Sequence, residues 1–396
     1  MSKISLERFL SIAYLVPMGD PLDPACDWGQ PVALRGEPGI GKTDRIFQSG
    51  ATLNLPVQVI ELGGRQPEDA SGAPFLNKKD ELVIACLLQQ VNILNAAGRG
   101  VLFLDEFNWG RPATQGAFTS MVRARRIGDT ILSNFIRIVM AGNPPAAAGG
   151  GYQLIPPMAN RLAHFDVDTP TDEEEDAYLM GQAQTNVVSI DDGEKKIMDG
   201  WANEWAKQKG IMMGFYRRFP QHKFHRPKES DPQIHKAWPT PRSRENAIRC
   251  VTTCIILGEN QDVQDEFFEA CVGKKAATDW AIWRHEADLP DPLDMLTNGW
   301  KPNKQRLDIS MAAYGSAVAY VIGRSNPEQR KELAIPMWDL LGGAVGAGIA
   351  DIAYSCAQGL VRNKLGLSVG GQLAETAKKV MLRFGKKDLH TFGVDP

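Results

Sequence analysis

The chain has 396 residues, 43% apolar and 23% charged, with a formal net charge of −3. That is enough for two or three domains with a large core, and an ordinary composition for a soluble globular protein. The near-zero balance excludes a global charge that would advertise nucleic acid or anionic lipid as partner.

From the N-terminus, Leu6, Phe9, Leu10 and Ala13 recur at helical spacing, which predicts a helix over 5–15. A loop rich in Asp and Pro follows. Pro31-Val32-Ala33-Leu34-Arg35 reads as a short buried strand running into Gly36-Glu37-Pro38-Gly39-Ile40-Gly41-Lys42-Thr43. This stretch fits G-x-x-x-x-G-K-[ST], the phosphate-binding loop. Its glycines let the backbone turn N–H groups toward a nucleotide's phosphates. Lys42 is placed to reach the β and γ phosphates, and the Thr43 hydroxyl to hold Mg²⁺. Residues 43–47, Asp44 among them, open a helix whose N-terminus faces the phosphates. Residues 36–44 are therefore the candidate nucleotide contacts.

Residues 57–62 are a second β-rich run, and 63–72 a polar loop with Arg65, Glu68 and Asp69. Residues 75–76 and 82–84 could form a hairpin about a turn at 77–80. Leu87, Leu88, Val91 and Leu94 predict a helix over 86–97, stopped by Gly98 and Gly100. Val101-Leu102-Phe103-Leu104-Asp105-Glu106 reads as a central strand buried on both faces. It delivers two carboxylates at its C-terminal edge, where ligands of an open α/β sheet sit. Asp105 is placed to hold Mg²⁺ through water, and Glu106 to act as general base on the attacking water. A helix over 112–123 and a strand over 136–140 follow. That strand ends in Ala141-Gly142-Asn143-Pro144, where Asn143 either orients the lytic water or sits in an ordinary Asn-Pro turn. Residues 146–151 read as flexible loop; Ala159-Asn160-Arg161-Leu162 and the strand His164-Phe165-Asp166-Val167 come next.

The acidic run Thr171-Asp172-Glu173-Glu174-Glu175-Asp176 starts a helix and marks a domain boundary, and the region to about 290 is helical in pattern. Trp238-Pro239-Thr240-Pro241-Arg242-Ser243-Arg244 opens a helix with Pro before its first turn. Residues 215–236 combine Arg217, Arg218, Lys223, Arg226 and Lys228 with Phe215, Tyr216, Phe219 and Phe224. That mixture suits single-stranded nucleic acid, a protein-docking loop or a solvated insertion. His222, His225 and His235 lack metal-ligand partners there. Cys250 and Cys254 are four apart, yet no His or Cys pair completes a four-ligand set. The six cysteines are expected as buried free thiols in a reducing cytosol. The N-terminal residues lack a signal peptide's apolar core, and residues 340–360, broken by Asp351, are expected as a buried helix. The expectation is a cytoplasmic protein without membrane insertion.

Residues 36–43 and 102–106, the Ala-Gly-Asn-Pro at 141–144 and the Asn-Arg-Leu at 160–162 together resemble an AAA+ ATPase. More narrowly they resemble the MoxR group, related to the dynein-type AAA modules. The likeness spans residues 30–170. It implies an α/β P-loop sandwich with a parallel sheet over 1–171 and an all-α lid carrying the basic insertion over 172–290. The likeness gives little guidance beyond that, where the apolar, small-residue-rich runs 308–321 and 333–360 read as closely packed helices of a helical extension over 291–396. The likeness implies that Asn143 is sensor 1, that Arg161 is the arginine finger offered to a neighbouring subunit, and that Arg242, or else Arg244, is sensor 2. Residues 75–84 match the family's pore-facing insertion, and 127–132 the hairpin before sensor 1. The sequence departs from the family in two places. Asn108-Trp109-Gly110-Arg111 replaces Asn-Arg-Ala after the acid pair, so no role passes to Arg111, and Asn-Arg-Leu replaces Asp-Arg-Phe. The activity implied is hydrolysis of ATP with Mg²⁺ in a homo-oligomeric ring, expected as a hexamer. Its work would be remodelling or maturing a protein client beside a von Willebrand factor A domain partner. The rivals are a nucleic-acid motor or restriction-type NTPase subunit using GTP, and a nucleotide-binding switch.

Overall fold

The computed structural model of the protein describes residues 4–76, 82–85, 88–144, 151–180, 186–324 and 326–384. Its contacts divide the chain into two compact units, residues 1–199 with 224–277, and residues 200–223 with 278–396.

The first unit is built on five strands: β1 Val32–Arg35, β2 Val57–Glu61, β3 Arg99–Asp105, β4 Phe135–Gly142 and β5 Ala163–Asp166. They pair in parallel in the order β2-β3-β4-β1-β5. Helices join them, so both faces are covered, and residues 32–34 and 101–104 are buried throughout, as such strands must be. Ile60, Leu102, Leu104, Phe118, Met121, Ile138 and Met140 share one core cluster. This is the α/β P-loop sandwich expected. The order places the C-terminal ends of β1, β3 and β4 side by side, with Arg35 opposite Gly142 and Leu104 opposite Met140.

Two hairpins leave the sheet, Ala73–Leu76 with Leu82–Ala85, and Arg126–Ile127 with Thr130–Ile131. The turn expected at 77–80 and Cys86 lie outside the described residues, as does most of the loop expected at 146–151. The helix expected over 86–97 runs Gln89–Ala97, after Leu88 as its N-cap. Helices Pro241–Leu257 and Gln261–Val272 pack on each other in this unit, with Cys250 Sγ 4.0 Å from Cys271 Sγ. The five described cysteines are buried.

The second unit is helical. Its core gathers Leu307–Ile322, Pro327–Gly346, Ala350–Arg362 and Gly371–Met381. The stretch expected as one buried helix over 340–360 is two, because the chain turns at residues 347–349. Residues 200–223 also belong here. Phe215 packs against Trp280 and Trp283 with ring centroids 5.3 and 5.8 Å away. Arg217 pairs with Asp351, and His222 Nε2 lies 2.6 Å from the Asp279 carboxylate. The aromatic half of the basic segment is thus core, not a solvated insertion. No helix among the described residues is long and apolar enough to cross a membrane.

Candidate nucleotide site

β1 ends at Arg35, and the loop after it turns sharply before the helix Lys42–Thr52. Gly39 and Gly41 take positive φ angles of 84° and 79°, which side-chain-bearing residues rarely adopt. Lys42 folds back over the loop and donates to Gly36 O and Glu37 O at 2.8 Å each, and to Asn143 Oδ1 at 3.2 Å. Burial lowers its pKa, while Asp105 and Glu37 oppose that shift. Thr43 Oγ1 donates to Asp105 Oδ2 at 3.0 Å. A hydroxyl and a carboxylate side by side are the hard oxygen donors that Mg²⁺ takes, so the pair fits that ion.

Glu106 follows Asp105 directly, at the C-terminal edge of β3 as expected. It is exposed, and its backbone is left-handed, with φ 55° and ψ 43°. Its N–H donates to Asp105 Oδ1 at 2.8 Å. A non-glycine residue in this region stores strain of about 1–3 kcal/mol, a cost often found at functional sites. Partial desolvation of this largely exposed group, and then the charges of Asp105 and Glu61, raise the Glu106 pKa, which suits a group that must accept a proton.

Two residues that sequence reasoning passed over hold this edge. Asn108 is buried, and its Oδ1 accepts the Asn143 N–H at 3.1 Å. Gln115, also buried, donates to Phe107 O, Gly110 O and Gln153 O and accepts from Ile155 N–H. A buried amide four residues into the helix Pro112–Ala124 is a weak signal in sequence, because its partners lie in turns whose approach no local pattern gives.

Beside Gly39, Ile40 and Gly41 opens a cleft of about 820 Å³, lined also by Glu7, Asp44 and Glu174. That lies within the roughly 300–1,000 Å³ of small-molecule sites. Arg45 reaches in as well, but Glu7 holds its guanidinium through contacts of 2.5 and 3.0 Å. Glu37, Pro38 and Asp44 are exposed around the loop.

The structure thus brings Lys42, Thr43, Asp105, Glu106 and Asn143 to one edge of the sheet. Arg161 stands apart from them, within electrostatic reach of Arg242. Arg161 donates to Pro157 O, and its pKa is lowered by burial and then by the positive charges of Arg242 and Arg123. Arg244 turns back to its own helix, donating from Nε to Thr240 O at 3.2 Å. Three further arginines of the α/β region, Arg125, Arg126 and Arg137, have structural partners. Arg137 is 1% exposed and paired with Glu194, Arg125 is paired with Asp27, and Arg126 donates to Gly128 O.

A solved structure from Cytophaga hutchinsonii ATCC 33406, described as a "putative ATPase", is similar to this chain at 17% identity with a TM-score of 0.42. The similarity covers 67% of this chain and 78% of that one. No protein-family model and no curated protein matches the chain.

Proposed function

We propose that this chain is an ATP-hydrolysing AAA+ subunit of the MoxR type, working in a homo-oligomeric ring. The observation that carries the reading is the constellation at the sheet edge, where Lys42 meets Asn143 and Thr43 meets Asp105, one residue before the strained Glu106. A nucleotide's phosphates would lie on the loop N–H groups and the Lys42 ammonium. Thr43 and Asp105 would hold Mg²⁺, which would supply positive charge against the phosphates. Glu106 accepts the proton of the attacking water, and the Asn143 amide orients that water. Arg161 and Arg242 would stabilise the developing charge on a neighbour's nucleotide.

The finer reading, a protein client and a von Willebrand factor A domain partner, rests on the family likeness. It is supported by the hairpin at 73–85, whose Leu76 and Leu82 are 62% and 70% exposed where a client could be gripped. The nucleic-acid motor has less to stand on. Of the four aromatics in the basic segment, only Phe224 is exposed.

Two variants test the reading. Lys42→Ala is expected to lose ATP binding, because the charge that meets the phosphates is gone; unchanged affinity overturns the site. Glu106→Gln is expected to keep ATP bound and nearly stop turnover. Near-normal hydrolysis would move the base elsewhere.

A further inference from the structure

Asn160 stands where the resembling family has Asp, and the structure gives its amide a task. The side chain is buried, at 6% exposure. Nδ2 donates to Trp238 O at 2.8 Å, and Oδ1 accepts the Thr240 hydroxyl at 2.8 Å. Thr240 is the N-cap of the helix Pro241–Leu257, and Thr240 and Ser243 bond reciprocally across its first turn. One side chain therefore ties the turn bearing Arg161 to the first turn bearing Arg242. A carboxylate could still accept from Thr240. Its other oxygen would then face the Trp238 carbonyl, acceptor against acceptor, whereas an amide serves both contacts.

The tie holds together two groups that otherwise repel. Among the described residues no carboxylate offsets that repulsion at Arg161, whose charged neighbours are Arg242 and Arg123 and whose buried Nε has no partner. Cations kept together at a Coulomb cost form a face prepared for an anion.

We propose that Asn160 is a positioning residue. Its amide fixes Arg161 and Arg242 as one unit that meets the phosphate of a nucleotide held by the neighbouring subunit, so that turnover depends on it and nucleotide binding does not. The proposal rests on the ring-ATPase reading above.

The test uses the full chain with Asn160→Asp, and with Thr240→Val beside the conservative Thr240→Ser. A misplacement of about 1 Å in such a group costs roughly 10²-fold in rate, so kcat should fall by about that factor in Asn160→Asp and Thr240→Val. KM for ATP and ring assembly should stay within about threefold, because the phosphate loop is untouched. Thr240→Ser keeps the hydroxyl and should retain activity. Mixing then locates the defect. Asn160→Asp subunits should regain activity with Lys42→Ala subunits, which still offer a sound finger, and should stay inactive with Arg161→Ala subunits. Unchanged kcat, rescue by Arg161→Ala, or rescue by neither overturns the proposal. If Asn160→Asp does not fold, Thr240→Val carries the same mixing test, with thermal melting as its control. ATP binding by Lys42→Ala or normal turnover by Glu106→Gln would instead sink the ATPase reading, and the two failures are thereby distinguishable.

Discussion

At the base of the phosphate loop a buried cation rests on a histidine. Arg35 Nη1 lies 2.5 Å from His164 Nδ1, and Nη2 donates to His235 O at 2.6 Å. A guanidinium only donates, so His164 Nδ1 is the bare nitrogen and Nε2–H donates to Ala159 O at 2.8 Å. A proton on Nδ1 would remove Arg35's acceptor and set two cations together. Burial first, and then Arg35, hold the His164 pKa well below the ordinary 6.5, with Lys236 adding to the effect. Arg35 itself is drawn down to about 10 by burial, against the pull of Asp166. The sign follows from linkage. The unfolded chain takes the His164 proton near pH 6.5, and the folded chain takes it at lower pH. The stability His164 contributes is full above 6.5 and is lost as pH falls through the window below it. The loss is up to about 1.4 kcal/mol per pH unit. Urea midpoints measured from pH 7.5 to 5.5 should fall more steeply for the wild-type chain than for His164→Gln. Parallel slopes would show that this contact does not govern the acid response.

The elements around the site show how far sequence reasoning reaches. β1, β3 and β4 each hold a run of buried apolar residues, and a run of that kind is legible without a structure. The loop from Gly36 to Thr43 was legible because its glycines, lysine and threonine stand at the fixed spacing of a phosphate-binding loop. The supports of these elements were not legible. Asn108 and Asn143 are 35 residues apart, and Asn160 and Thr240 are 80 apart, and no local period relates them. The same contacts explain why β4 ends in glycine. A Cβ on Gly142 would lie 2.7 Å from the Phe107 ring and 2.8 Å from Asn108 Oδ1. Gly142→Ala must therefore push the Asn108 turn away from the Asn143 N–H. Overpacking of this kind costs about 1–3 kcal/mol. Urea unfolding should show that loss, and kcat should drop more than ATP affinity, since Asn143 moves while the phosphate loop does not. A variant as stable and as active as wild type would mean that the strand end yields without strain.

At the scale of the whole chain, sequence order and compact unit part company. The segment read as a lid, residues 172–290, contributes to both units, because residues 200–223 make their contacts with 278–396. Ser316 Oγ donates to Lys207 O at 3.0 Å, and Phe215 is fully buried against Trp280 and Trp283. Helical patterning shows that a helix spans this region, but a helix reads alike wherever along its length its partners change. A cut after residue 277 leaves Phe215 and Tyr216 without the tryptophans that cover Phe215. Burying such a side chain is worth about 1.5–3 kcal/mol, and uncovering Phe215 adds exposed apolar surface. A fragment of residues 1–277 is therefore expected to melt lower than the full chain, to bind a dye specific for exposed apolar surface, and to self-associate. Residues 278–396 supplied as a separate chain should bind it and quench that dye signal. Phe215→Ser in the same fragment should reduce self-association, although it destabilises the full chain. A fragment that stays monomeric, binds no dye and melts like the intact protein would show that residues 200–223 do not need the C-terminal helices.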